Sequence, residues 1–231
     1  MLLHLGAGVL DVRGSIAEQT FARNRYGHYA RERVTPTDPA TALQLARRTD
    51  ITIAARQWTT SLTAAQRDQW RAYAGAITRT NRFGEPTHLT GYHEWIRYRA
   101  FRRHTGLGYS RTPPPDLHIP PGDPSLAATL TAPTTISIVF DDSAPWCSNL
   151  ASAMVLFATP GFGPGVTYIG GPYHLIGLIY GNPTNPPTSP YTGLTYPFTL
   201  TAGQHARIRA RITFGDGGLT NLFYTEAVVN P

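Results

Sequence analysis

The sequence predicts an α+β chain in two parts: an N-terminal β-hairpin arm with a helical hairpin and a third helix, then an all-β region. Three observations predict it. Helical apolar stripes are confined to the first 111 residues, and from Ser125 onward the pattern is short β-segments separated by turns. Charge divides the same way: residues 1–111 carry 17 Arg against 8 Asp and Glu, and residues 112–231 carry 3 against 6. Between them, Ser110 to Pro124 holds six prolines (113, 114, 115, 120, 121 and 124), a stretch that favours extended polyproline geometry. The expected organisation is therefore a basic unit at 1–111, a Pro-rich linker at 112–124 and a β unit at 125–231.

The arm comes first. Residues 14–35 read as a hairpin with Gly27 as the turn, since glycine takes positive φ at little cost. Arg23 and Arg25 precede the turn, Arg31 and Arg33 follow it, and Phe21, Tyr26 and Tyr29 interleave with them. A three-residue turn at 26–28 places all four arginines on one face; a two-residue turn at 26–27 splits the pairs. A two-stranded ribbon is marginal alone in water, so this one must lie against something.

Asp38 and Pro39 have the chemistry of a helix start. Ile51, Ala54, Ala55, Trp58 and Leu62 form one apolar stripe. Thr63-Ala64-Ala65-Gln66 has capping-box spacing and opens a second helix with the stripe Trp70, Tyr73, Ala74 and Ile77. So short a connection predicts an antiparallel helical hairpin with Trp58 and Trp70 in a shared core. Residues 78–88 read as a loop. Thr90 caps a third helix that runs to about Thr105 and stops at Gly106, with Tyr92, Trp95, Ile96 and Arg99 on one side. Arg97, Arg99, Arg102 and Arg103 give that helix an expected basic face.

The β region offers candidate strands at 126–131, 134–140, 150–158, 166–169, 173–180, 193–200, 204–214 and 219–229. In His205 to Phe214 small and apolar residues alternate with Arg207, Arg209 and Arg211, the pattern of a half-buried strand with an arginine ladder facing out. Gly215-Asp216-Gly217-Gly218 is the turn to its partner strand.

Composition bounds the chemistry. All twenty cationic side chains are arginine, part of which a GC-rich coding bias explains, though not their clustering. The guanidinium fork suits carboxylate, phosphate and aromatic partners. The single cysteine, Cys147, excludes an internal disulfide and reads as a small hydrophobe. No run of apolar residues reaches a membrane span, and Met1 to Leu10 lacks the charged leader and cleavage site of a signal peptide. His88, His93 and Glu94 are the nearest metal-like grouping, but the His-Glu-x-x-His pattern fails at Arg97. Gly161-Phe162-Gly163-Pro164-Gly165 lacks the Lys-Ser/Thr of a phosphate loop, and no Gly-x-Ser-x-Gly elbow occurs. Asp141-Asp142 reads as a strand-to-loop transition. The expectation is a non-enzymatic protein without cofactor or metal.

Two resemblances add to this. With about seven strands in some 105 residues and a Gly-rich hairpin before the last strand, residues 125–229 resemble a fibronectin type III or related immunoglobulin-like sandwich, without the paired cysteines of antibody domains. Residues 14–105 resemble a family encoded by phages and prophages. The likeness rests on Gly14-Ser15-Ile16-Ala17, the run from Arg25 to Pro36, Pro39-Ala40-Thr41, Gln44, Arg48, Trp58, the run from Leu62 to Trp70, and Leu89-Thr90-Gly91. It implies a virion or mobile-element component and brings no catalytic residues.

The expected function is thus a structural protein of a bacteriophage particle or phage-derived assembly, localised to the virion. Arg23, Arg25, Tyr26, Tyr29, Arg31 and Arg33 contact neighbouring subunits or a polyanion, and Trp58, Trp70, Tyr73 and Trp95 form the helical core. The partners are copies of the chain or other virion proteins, and no membrane. Two alternatives remain at this point: a nucleic-acid-binding protein using the basic half, and a carbohydrate- or surface-binding module using Tyr168, Tyr173, Tyr180, Tyr191 and Tyr196.

Overall fold

A computed structural model describes residues 2–3, 12–24, 27–34, 37–80, 85–166 and 169–231. The chain divides into two compact units, Met1–Ala42 and Leu43–Pro231. The α+β class holds. The division does not fall at the Pro-rich stretch: the helices and the β region belong to one unit, and residues 1–42 form the other.

The N-terminal unit is a four-stranded antiparallel sheet in the order β1 (Leu2–Leu3), β4 (Gly27–Glu32), β3 (Gln19–Asn24), β2 (Gly14–Ile16). Asn24 pairs with Gly27, so Gly27 is the first residue of a strand and not the turn. Register then follows. Arg23 pairs with His28 and Arg31 with Thr20, which puts Arg23 and Arg31 on opposite faces. Ala30 is the one buried apolar residue among those described in this unit, while Ile16 (70% exposed) and Val34 (77%) face solvent.

Asp38 does not cap a helix. Its Oδ1 accepts from the Ala40 N–H at 3.1 Å, and Ala40 takes φ +44°, so the chain turns before α1 (Ala42–Thr60) begins. The capping box forms as expected: Gln66 N–H donates to Thr63 Oγ1 at 3.2 Å and Thr63 N–H to Gln66 Oε1 at 3.0 Å, opening α2 (Ala64–Ala76). A small two-stranded ladder, β5 (Arg79–Thr80) with β6 (Pro86–Thr87), precedes α3 (Gly91–His104). Thr90 caps α3, and Gly106, at φ +72°, follows its end.

Trp58, Leu62, Trp70, Tyr73, Ile77, Trp95 and Tyr98 form the helical core. The Trp70 and Trp95 rings meet edge-on at 5.7 Å. Each indole N–H reaches a carbonyl, Trp70 to Arg111 and Trp95 to Ala54, so neither buried donor is wasted. All four expected core aromatics are in place. Ile51 is not; it is exposed.

The remaining strands are β7 (Ala127–Thr131), β8 (Thr135–Val139), β9 (Ala153–Ala158), β10 (His174–Tyr180), β11 (Tyr191–Thr195), β12 (His205–Thr213) and β13 (Phe223–Asn230). They make one mixed sheet in the order β10-β9-β12-β13-β7-β8-β11, antiparallel except where β13 meets β7. The sheet nearly closes into a barrel: its end strands approach until a Cβ on Gly177 of β10 would run into the Leu194 side chain of β11. The expected strand at 166–169 is absent at its described positions, Val166 and Ile169. Ala206, Ile208, Ala210 and Ile212 of β12 point inward with Ile136, Ile138, Met154 and Leu156. Strand β9 is buried on both faces, because Phe101 of α3 comes to 6.4 Å from the Phe157 ring on the outer side. The helical layer therefore lies on the outer face of β9 and β12.

Candidate functional site

Of the expected hairpin contacts, Arg25 and Tyr26 lie outside the described residues. Arg23, Arg31 and Arg33 are exposed and Tyr29 is half-buried. Arg23 and Arg31 cannot form a single gripping face, given their register.

The expected basic face of α3 is corrected. Arg102 is fully buried. Its Nη1 donates to Thr213 Oγ1 (3.1 Å) and the Phe214 carbonyl (3.0 Å), Nη2 to the Ala151 carbonyl (2.8 Å), and Nε to the Gly108 carbonyl. The fork thus ties α3 to the end of β12 and the loop before β9 without any carboxylate. Burial, first of all, pushes its pKa down. Arg99 is buried as well; it donates to Gln57 Oε1 at 2.7 Å and lies 3.8 Å from the Tyr109 ring centre. Arg103 pairs with Asp50 at 2.9 Å. Three of the four charges that look like a solvated stripe in sequence, Arg99, Arg102 and Arg103, are tied to other parts of the fold; Arg97 is not.

Glu94, read from sequence beside His93 as a failed metal pattern, makes a buried two-point pair with Arg79: Nη2 to Oε2 is 2.7 Å, and Nε bonds Oε1. Arg79 Nη1 also reaches Asn221 Oδ1 at 3.2 Å. His88 Nδ1 is bonded to the Ile77 carbonyl oxygen at 2.9 Å. Among the described residues no three His, Cys, Asp or Glu side chains group as metal ligands, and no helix is long and apolar enough to cross a membrane.

The arginine ladder of β12 points out of the barrel but not into bulk water. Arg207 pairs with Glu226 at 3.2 Å and lies 4.7 Å from the Tyr224 ring centre. Arg209 packs at 4.2 Å from Tyr173 and 5.0 Å from Phe157. Arg211 sits 5.3 Å from Phe101. One turn before Phe101, on the same side of α3, is half-buried Arg97. Burial above all, then Arg97, Arg79 and Arg209, push the Arg211 pKa down. Sequence reading found the ladder and the basic helix separately; their meeting depends on α3 packing across the sheet, which no local pattern encodes.

A cavity of about 540 Å³ lies between the Pro-rich segment, the 141–146 loop and the end of β12, lined by Asp116, His118, Trp146, Ile212 and Phe214 among others. Three of its four carboxylates serve the backbone. Asp123 accepts from Ser125 and from Asp141 N–H, Asp141 from Ser143, and Asp216 from Gly218 N–H. Cys147 is buried nearby, and burial pushes its thiol up to about 12, which fits an inert side chain.

The five tyrosines weighed as a sugar platform do not assemble. Tyr196 is in the core with its hydroxyl on the Thr159 carbonyl, Tyr173 packs on Arg209, Tyr191 packs against the core, Tyr180 is exposed, and Tyr168 lies outside the described residues. No family model, curated protein or solved structure matches the chain.

Proposed function

We propose that the protein is a non-enzymatic structural subunit of a bacteriophage virion or phage-derived assembly, docking through its N-terminal unit onto neighbouring subunits. One observation carries this reading: residues 12–34 form strands with almost no core of their own. A thin sheet with one buried apolar side chain among its described residues, and with exposed Ile16 and Val34, gains little by folding alone. Strand β2 is a three-residue edge of that sheet. An open edge is a template for a strand from another subunit, and the docked face would supply the missing burial. The likeness of residues 14–105 to a phage-encoded family supports the setting.

The second unit is read as an immunoglobulin-like domain carrying a helical cap. Strands β10-β9-β12-β13 and β7-β8-β11 form two runs whose ladders meet at the two-residue parallel pairing of Val229 and Asn230 with Leu130 and Thr131. That grouping fits two facing sheets of such a sandwich.

The nucleic-acid alternative is weakened by the enclosure of Arg99 and Arg102, which takes two of the four arginines of α3 off its surface. Deletion of residues 1–41 tests the docking role. It is expected to abolish self-association while the β unit keeps its cooperative unfolding; a truncated chain that still assembles would overturn the proposal.

A further inference from the structure

We propose that Arg97, Arg209 and Arg211 form an oxyanion site, between α3 and the outer face of β12, that takes a phosphate group. The inference stands independently of the assembly reading. Three features carry it.

First, the geometry brings the three together. Arg209 and Arg211 are two apart on one strand and share its outer face. Arg211 lies against Phe101, and Arg97 is one helical turn from Phe101. Phe101 in turn faces Phe157, against which Arg209 packs.

Second, their donors are uncommitted. In each of the three guanidiniums Nε is buried without a hydrogen-bond partner, and none of their nitrogens is bonded within the described residues. Neighbouring rings stabilise a cation through their faces but provide no strong acceptor for its N–H groups. Buried polar groups of folded proteins are otherwise nearly all satisfied. The side chains are half-buried, so the cluster remains open toward solvent on one side.

Third, charge is unbalanced. The nearby carboxylates are engaged elsewhere: Glu94 by Arg79, Glu226 by Arg207, and Asp50 by Arg103. Arg47 of α1 adds another positive charge near Arg209. Guanidinium stays protonated at neutral pH, so mutual repulsion has to be met by an anion. A tetrahedral, multiply charged oxyanion gives an oxygen to each of three forks, which a single carboxylate does not.

The test uses the full-length protein. Thermal unfolding and ³¹P line width are followed with inorganic phosphate, and unfolding is repeated in sodium chloride at matched ionic strength and with a short DNA duplex. Multivalent anions also stabilise proteins by exclusion, so Arg97→Gln and Arg211→Lys serve as controls. Near-UV signals from the buried tryptophans establish that each variant is folded. Phosphate is expected to raise the midpoint of the wild type above its chloride control and to broaden the phosphate resonance. Each variant is expected to lose about tenfold or more in phosphate affinity. Equal response to phosphate and chloride, or undiminished binding in both variants, would overturn the site. Duplex binding through the same arginines that phosphate fails to displace would also overturn it, in favour of a nucleic-acid surface.

Discussion

Arginine in this protein divides by what its donors meet. Arg102 has every branch of its fork on an oxygen and no counter-charge, so its role is to satisfy acceptors from three segments at once. Arg79 has a carboxylate, and Arg97, Arg209 and Arg211 have neither carboxylate nor carbonyl among the described residues. Changing Arg102 to Met fills similar space but leaves four oxygens, that of buried Thr213 among them, without that donor. The expected loss is on the order of 3 kcal/mol of unfolding free energy. Denaturant titration of the Arg102→Met protein checks this, and an unchanged midpoint would contradict the cross-linking role. These differences were not legible in sequence. Arg97, Arg99, Arg102 and Arg103 look alike there, and only the cover supplied by α1, Gly108, Tyr109 and the large sheet sorts them into open, stacked, buried and paired.

At the scale of elements, local chemistry was legible wherever the deciding partners are near in sequence. Thr63 with Gln66, Thr90 at the start of α3 and Gly106 after its end are capping signals within a turn of their partners, and each is used. The alternation from His205 onward likewise reads directly as β12. Reading failed where a competing local bond or a non-local register decides. Asp38 bonds Ala40 instead of capping a helix, and Gly27 pairs with Asn24 as the first residue of a strand. The reason for glycine at position 91 is likewise non-local. A Cβ there would lie 2.6 Å from the Arg71 nitrogen, so α3 begins in direct backbone contact with α2. Gly91→Ala should therefore cost about 1–3 kcal/mol through forced separation of the helices. Gly75, exposed within α2 with nothing near its Cα, should instead gain about 0.5–1 kcal/mol on change to Ala. Thermal unfolding of the two variants, shifted in opposite directions, checks the packing of α2 against α3; a harmless Gly91→Ala would refute it.

For the whole molecule, the two units are unequal in a way that bears on function. Leu43–Pro231 has two apolar cores, one of helical aromatics and one inside the nearly closed sheet, linked by Arg102 and Arg79. Met1–Ala42 has strands and exposed arginines with scarcely a core among its described residues. The charge asymmetry visible in sequence does not map onto these units. Part of the positive charge of residues 43–111 is spent inside the larger one, at Arg79, Arg99 and Arg102, whereas Arg23, Arg31 and Arg33 of the arm are exposed. In the proposed assembly the arm is covered by other subunits. The most direct measurement is the molar mass of the purified full-length protein, free of nucleic acid, by light scattering across protein concentration and salt. A discrete or growing oligomer is predicted; a 25.3 kDa monomer under every condition would contradict the account.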